Sequence, residues 1–185
     1  KSELLFLSVM MQSLAPGGRC AVVVPEGLLF GSTKAHAGLR KKLLHDFEML
    51  AVISLPAGVF KPYAGVKTSV LVFRNPTSTK KVKKVWFYEI RNDGYDPDKI
   101  TGGVRAETPE QNGIPAMLVE WAKYKNSGFK TPPGVEGKSL LEPGSNEPKS
   151  WWVANKVLAD EDCNLSAGRY KPQVGEKPPE EDPAD

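Results

Sequence analysis

The most regular feature of the chain is a succession of short apolar blocks separated by glycine, proline and charged residues. Ser2 to Leu14 places Leu4, Leu5, Leu7, Met11 and Leu14 at helical spacing behind a residue suited to the N-cap, which predicts a helix stopped by Pro16-Gly17-Gly18. "RCAVVVP" (Arg19 to Pro25) is a continuous β-branched run, the pattern of a parallel strand covered on both faces. Beyond Gly27 and Gly31, Ser32 or Thr33 is placed to cap a second helix to about Asp46. Leu39, Leu43 and Phe47 form its inner stripe, with Lys34, Arg40, Lys41 and Lys42 outside. "MLAVISLP" and "TSVLVFR" are two further apolar strands. The order helix, strand, helix, strand is a βαβ unit preceded by the helix of another. The connection from Pro56 to Lys67 holds no helix, and a parallel crossover needs one, so "TSVLVFR" is predicted to run antiparallel.

"VWFYEI" (Val85 to Ile90) alternates less cleanly and suits an edge or extension strand. Past Arg91 regularity declines: "NDGYDPD" reads as a turn, Pro115 to Asn126 as a helix with proline in its first turn, and Ser127 to Lys149 as an extended connection. "SWWVANKVLAD" reads as a short helix carrying Trp151 and Trp152, and the Pro/Glu-rich end as a disordered acidic tail. The organisation expected is therefore 1–90, an α/β unit; 91–171, an irregular extension; and 172–185, the tail. The chain opens on Lys1 almost inside a helix, as a piece of a longer protein would.

Charge sharpens this picture. The formal charge is +3, but Glu176 to Asp185 carries five acids against one base, a local −4 that leaves +7 on the preceding residues. A basic body with an acidic tail permits a polyanionic partner. The densest basic cluster is Lys80, Lys81, Lys83 and Lys84, which serves either to protect a sheet edge or to contact phosphates. The Lys34–Lys42 helix face has the same two readings, solvated exterior or DNA backbone contact. Cys20 and Cys163 lack CxxC spacing, and His36 and His45 lack companions at ligand spacing, so neither a disulfide framework nor a metal site is expected. No apolar run approaches the ~20 residues of a membrane span, and no signal peptide is evident. A reduced, cytoplasmic protein is expected.

In a doubly wound sheet, ligands sit beyond the carboxyl ends of the parallel strands. "PEGLLFGST" and "PAGVFKPYAGVKT" lie at that edge. The second loop sets Phe60 and Tyr63 between Pro and Gly, either tucked against the core or forming the wall of a pocket. No GxGxxG, GxxxxGK[ST] or GxSxG motif occurs. The residues alone support part of an α/β ligand-binding domain.

The combination "GGRCAVVVP … AVISLPAGVF … KTSVLVF", continued by "VWFYEIRNDGYDPD" and "NLSAGRYKP", resembles the modification (M) subunit of type I restriction-modification systems, which are S-adenosylmethionine-dependent DNA adenine-N6 methyltransferases. The resemblance runs from about Glu3 to Lys171 and implies the carboxy-terminal half of a Rossmann-like seven-stranded methyltransferase sheet. The three apolar strands would be its fifth, sixth and seventh, with the antiparallel last strand inserted between the other two.

The family's glycine-containing donor loop and its N/D-P-P-F/Y catalytic motif do not occur here; the nearest strings, at Asn75 and Asn146, are wrong in sequence and context. Both would lie upstream of Lys1, so the chain alone is expected to bind no S-adenosylmethionine and to be inactive. By the same resemblance Phe60 would stack on an adenine swung out of the duplex, since an aromatic face restores part of the stacking lost. Lys67 and Thr68 would approach the same pocket. Implied partners are DNA and the specificity and restriction subunits of a type I complex. The alternative is a non-catalytic assembly or DNA-binding piece. For Trp151 and Trp152, core packing is the preferred reading over nucleotide stacking. An unpaired edge on Arg19–Pro25 would favour self-association.

Overall fold

The computed structural model describes residues 2–78, 82–130, 140–141 and 147–173. Lys80, Lys81 and nearly all of the acidic tail lie outside the described residues. Helix α1 (Ser2–Ser13) leads into strand β1 (Arg19–Pro25). A short helix α2 (Glu26–Phe30) and helix α3 (Lys34–Asp46) precede strand β2 (Glu48–Ser54). Strand β3 (Thr68–Arg74) and strand β4 (Lys84–Glu89) follow. Strands β5 (Tyr95–Thr101) and β6 (Val104–Glu107) form a separate hairpin ahead of helix α4 (Ile114–Asn126). Strands β7 (Leu140–Leu141) and β8 (Pro148–Ala154) and helix α5 (Asn155–Asp160) complete the order.

The main sheet has the order β1-β3-β2-β4-β8-β7. As expected, β3 runs antiparallel, and it lies between β1 and β2. Its return run explains a feature the pattern did not suggest. Because β3 brings the chain back to the amino edge, β4 starts there and pairs parallel with β2 with no crossover helix (Ala51 opposite Trp86, Ser54 opposite Glu89). β4 is therefore an interior strand, not an edge, and Val85 to Tyr88 are buried. The segment "SWW" is likewise strand rather than helix: β8 sets Trp152 opposite Trp86 and Trp151 opposite Phe87, and both ring pairs stack. Cross-strand aromatic pairing outweighs the local helical spacing, which is realised only from Asn155 onward. "NDGYDPD" supplies a turn at Gly94, but its second half opens β5.

Apolar clusters cover both faces. On one, Leu7, Met11, Leu29, Leu43 and Phe47 pack against Val52, Leu71, Phe73, Val85, Phe87 and Trp151. On the other, Met117, Tyr124 and Phe129 cover Leu50, Ile53, Val72, Trp86 and Tyr88. The sheet thus draws strands from both sides of residue 90 into one core. β1 departs from the expectation of two covered faces: Val24 is buried, but Ala21 and Val23 are exposed, because the α4 layer packs over β2 and β4 instead. Leu5, expected on the inner face of α1, is also exposed, together with Phe6, Val9 and Met10.

Thr33 caps α3, its hydroxyl accepting the His36 N–H at 3.4 Å. The stripe of α3 needs one correction. Arg40 points inward and is 3 % exposed. Its guanidinium donates to the Leu28 carbonyl at 3.1 Å, the Gly31 carbonyl at 2.9 Å and the Cys163 carbonyl at 3.0 Å. It sits three residues before Leu43 and seven before Phe47, on the same helical face. No group of three or more metal-ligating side chains, and no helix able to cross a membrane, occurs among the described residues.

Candidate functional site

The register of the sheet aligns four strand termini along one edge: Pro25 opposite Thr68, Ser54 opposite Ser69, and Ser54 opposite Glu89. This is the carboxyl edge of the parallel pair, where such sheets hold ligands. The buried hydroxyls of Ser54, Thr68 and Ser69 have no hydrogen-bond partner among the described residues.

Two connections build walls above this row. The β2–β3 loop turns tightly at Gly58, whose φ of +80° favours glycine and whose would-be Cβ falls 3.1 Å from Pro97. The Phe60 carbonyl accepts from the Tyr63 and Ala64 N–H groups, both at 2.9 Å, and Lys61–Pro62 is a cis peptide. Lys61 also pairs with Asp98 at 3.1 Å, tying the loop to the β5–β6 hairpin. Between them lies a cavity of about 320 Å³ lined by Leu55, Lys67, Glu89, Arg91, Asp93 and Arg105, among others. Arg105 grips Asp93 through both nitrogens, at 3.0 and 2.5 Å, and lies 5.0 Å from the Tyr95 ring.

The structure places the residues singled out from the sequence as follows. Phe60 lies on the loop at this edge and is 41 % exposed, with the ring outside the cavity lining; Tyr63 is almost wholly exposed. Lys67 lines the cavity, and Thr68 lies beside it, buried. Lys83 and Lys84 sit at the opposite, amino edge, where β4 begins. Trp151 is buried within the sheet, and Trp152 is half-buried between aromatic neighbours.

Several residues of the site were not singled out. Glu26, at the end of β1, accepts from the Ser166 hydroxyl at 3.3 Å and faces Lys67 at 3.8 Å. Lys171 donates to Glu89 at 2.5 Å and lies 3.6 Å from Glu147, which also pairs with Arg91. The segment Asn164–Lys171 is thus drawn across the carboxyl edge. Leu165 bonds to the Leu29 carbonyl, the Tyr170 hydroxyl to the Asn164 carbonyl, and the Tyr170 ring packs on Phe87. Glu89, an acid ending an otherwise apolar strand, was the legible signal; its partner 82 residues away was not.

Burial raises both thiols above their ordinary range, which leaves Cys20 and Cys163 as protonated packing groups. A methyl-donor site does not fit the residues present. β1 passes through Pro25 straight into the five-residue α2 without a glycine turn, and β2 is followed by no helix.

A mixed sheet with an antiparallel strand between parallel neighbours, helices on both faces and a cavity at the carboxyl edge defines a methyltransferase-like α/β unit. Residues 1–174 match the model of the N-6 DNA Methylase family, and the chain belongs to that family. It is 42% identical over 85 residues to the type I restriction enzyme EcoEI methylase subunit of Escherichia coli, covering 46% of this chain and 16% of that one. It is 38% identical over 98 residues to the EcoKI methylase subunit of Escherichia coli strain K12, covering 49% and 18%. Among solved structures, a chain from the type I R-M system superposes with a TM-score of 0.66 at 29% identity, covering 96% of this chain and 34% of that one. The EcoKI M protein shares the fold, with a TM-score of 0.61 at 22% identity over 97% of this chain and 39% of that one. The chain therefore spans less than half the length of each of these relatives.

Proposed function

We propose that this chain supplies the target-base side of a DNA adenine-N6 methyltransferase within a longer type I modification subunit. That protein would transfer a methyl group from S-adenosylmethionine to N6 of an adenine extruded from duplex DNA, alongside specificity and restriction subunits. The observation that carries the reading is the strand order. An antiparallel β3 between β1 and β2 puts the Phe60 loop, Lys67, Thr68 and the unpartnered hydroxyls on one edge, beside a cavity of nucleobase-to-nucleotide size. Phe60 would stack on the extruded base, and its exposed ring has the freedom to do so. Ser166 and Lys171 act as positioning residues, the first through Glu26 on Lys67, the second on Glu89.

The donor and the acceptor amino group would meet residues of the longer protein; the chain alone transfers no methyl group. The test is base extrusion, read as 2-aminopurine fluorescence in the longer protein. Phe60→Ala should lower the equilibrium constant for extrusion by roughly 5- to 160-fold, the equivalent of the about 1–3 kcal/mol that a base–aromatic stack contributes. Unchanged extrusion and turnover in that variant, or methyl transfer by the 185-residue chain alone, would sink the reading.

A second reading, docking onto further protein, is favoured by the apolar surface of α1 (Leu5, Phe6, Val9, Met10) and, on the opposite face of the sheet, by the exposed Val23 of β1. β1 pairs only with β3 among the described residues, which leaves one strand edge open.

A further inference from the structure

The amino edge of the sheet collects cations that the methylase reading does not use. Arg74 ends β3, Lys83 precedes β4 and Lys84 opens it, and Lys130 follows Phe129; together they line a groove of about 520 Å³ floored by Tyr124, Phe129 and Trp152. Arg19, at the start of β1, brings its guanidinium to 6.0 Å from the centre of the Phe129 ring, and Arg74 comes to 5.3 Å. Among the described residues the groove contains a single acid, Glu48. It is 4 % exposed and fully engaged, accepting from Arg74 Nε at 2.6 Å and from the Val82 N–H at 3.1 Å. Four cations against one acid leave a local charge of +3. The carboxyl-edge cavity, with Lys67, Arg91 and Arg105 against Glu89 and Asp93, carries only +1.

Lys83 and Lys130 are exposed, and neither forms an ion pair among the described residues. The aromatic floor is already packed: Phe129 meets Tyr124 edge-on at 5.1 Å and Trp121 at 5.7 Å, and Trp86 stacks on Trp152. An occupant would therefore be held by charge rather than by stacking. Strands of six or seven residues, at roughly 3.3 Å each, separate this groove from the candidate site by on the order of 20 Å.

We propose that the amino-edge groove grips the phosphate backbone of DNA, as a contact separate from the base cavity and indifferent to sequence. The identity of the polyanion rests on the methylase reading; the position and charge of the groove do not. Closely spaced lysines with packed aromatic faces suit phosphates, which need point charges and no ring surface. A duplex seated at the carboxyl edge would leave this groove to a different stretch of backbone.

The test is fluorescence anisotropy of the full chain with a labelled duplex of arbitrary sequence, between about 50 and 200 mM salt. Lys83→Gln with Lys130→Gln should reduce the slope of log affinity on log salt by about 1.8, roughly 0.9 for each phosphate left without its lysine, and weaken binding by more than about tenfold at the low-salt end. Both substitutions are on the surface, and an unchanged thermal melt confirms the fold. An unchanged slope, or no binding at about 50 mM salt, overturns the proposal. So does displacement of the duplex by polyglutamate at equal charge concentration, which would assign the groove to an acidic protein segment. A Phe60→Ala defect in base extrusion with an unchanged Lys83/Lys130 slope would sink the groove alone; the opposite pair of results would sink the base wall alone.

Discussion

Replacing Arg40 by methionine should destabilise the chain by about 3 kcal/mol, although the residue touches no carboxylate among its hydrogen-bond partners. Hydrogen bonds from a charged donor contribute about 1.5–3 kcal/mol each, and Arg40 makes three, to Leu28, Gly31 and Cys163. Burying a guanidinium with no direct ion pair among the described residues, only the nearby charge of Asp162, offsets several kcal/mol of that gain. In keeping with that cost, burial holds its basicity below the ordinary arginine range. Methionine removes both the bonds and the buried charge, but strands three carbonyls, of which those of Leu28 and Cys163 belong to buried residues.

The consequence is also local. Cys163 precedes the segment whose Ser166 and Lys171 brace Glu26 and Glu89, so losing the bond at Cys163 should loosen the carboxyl edge first. Urea unfolding gives the global loss, and limited proteolysis between Asn164 and Lys171 gives the local one. Arg40→Lys should retain part of the stability, since an ammonium satisfies fewer of three divergent acceptors. A loss below about 1 kcal/mol in Arg40→Met, with no change in proteolysis, would refute the claim that this side chain ties the carboxy-terminal segment to α2 and α3.

Three further outcomes are expected. Lys171→Met and Glu89→Gln should each cost about 1–2 kcal/mol, with a double-mutant coupling near ~1 kcal/mol; additive losses would mean that the pair is not engaged in solution. Burial pushes the Tyr124 phenol above its ordinary value near 10, so the folded state holds that proton more tightly than the unfolded one. Its contribution is therefore complete below about pH 10 and lost as pH rises, by about 1.4 kcal/mol per unit; Tyr124→Phe should flatten this alkaline loss in pH-dependent urea melts, and an unchanged slope would contradict it. The open edge of β1 should drive self-association, so light scattering of the chain at high concentration should show species larger than a monomer, reduced by Val23→Lys; a monodisperse monomer would count against it.

The elements are legible in the residue pattern wherever burial is two-sided and local. β2, buried at every position, reads directly as an apolar run, and the absence of a helix between Pro56 and Lys67 was enough to turn β3 antiparallel. The resemblance carried by "AVISLPAGVF … KTSVLVF" placed β3 between β1 and β2, as the structure does. Arg40 carries the signal of its burial, since positions 40, 43 and 47 share one helical face, but a charged side chain amid lysines reads by default as exterior.

Other features required the tertiary structure, because they rest on partners far apart in the chain. Trp151 and Trp152 become strand residues only because β4 offers Phe87 and Trp86 across from them, a pairing that outweighs local helical spacing. The braces Ser166–Glu26 and Lys171–Glu89 span 140 and 82 residues. The division of charge between two edges was equally hidden: Lys67 and Lys83 are 16 positions apart, yet β3 carries the chain between them from one end of the sheet to the other. Linear spacing records which residues are cationic; only the return of the chain through β3 decides which edge they serve.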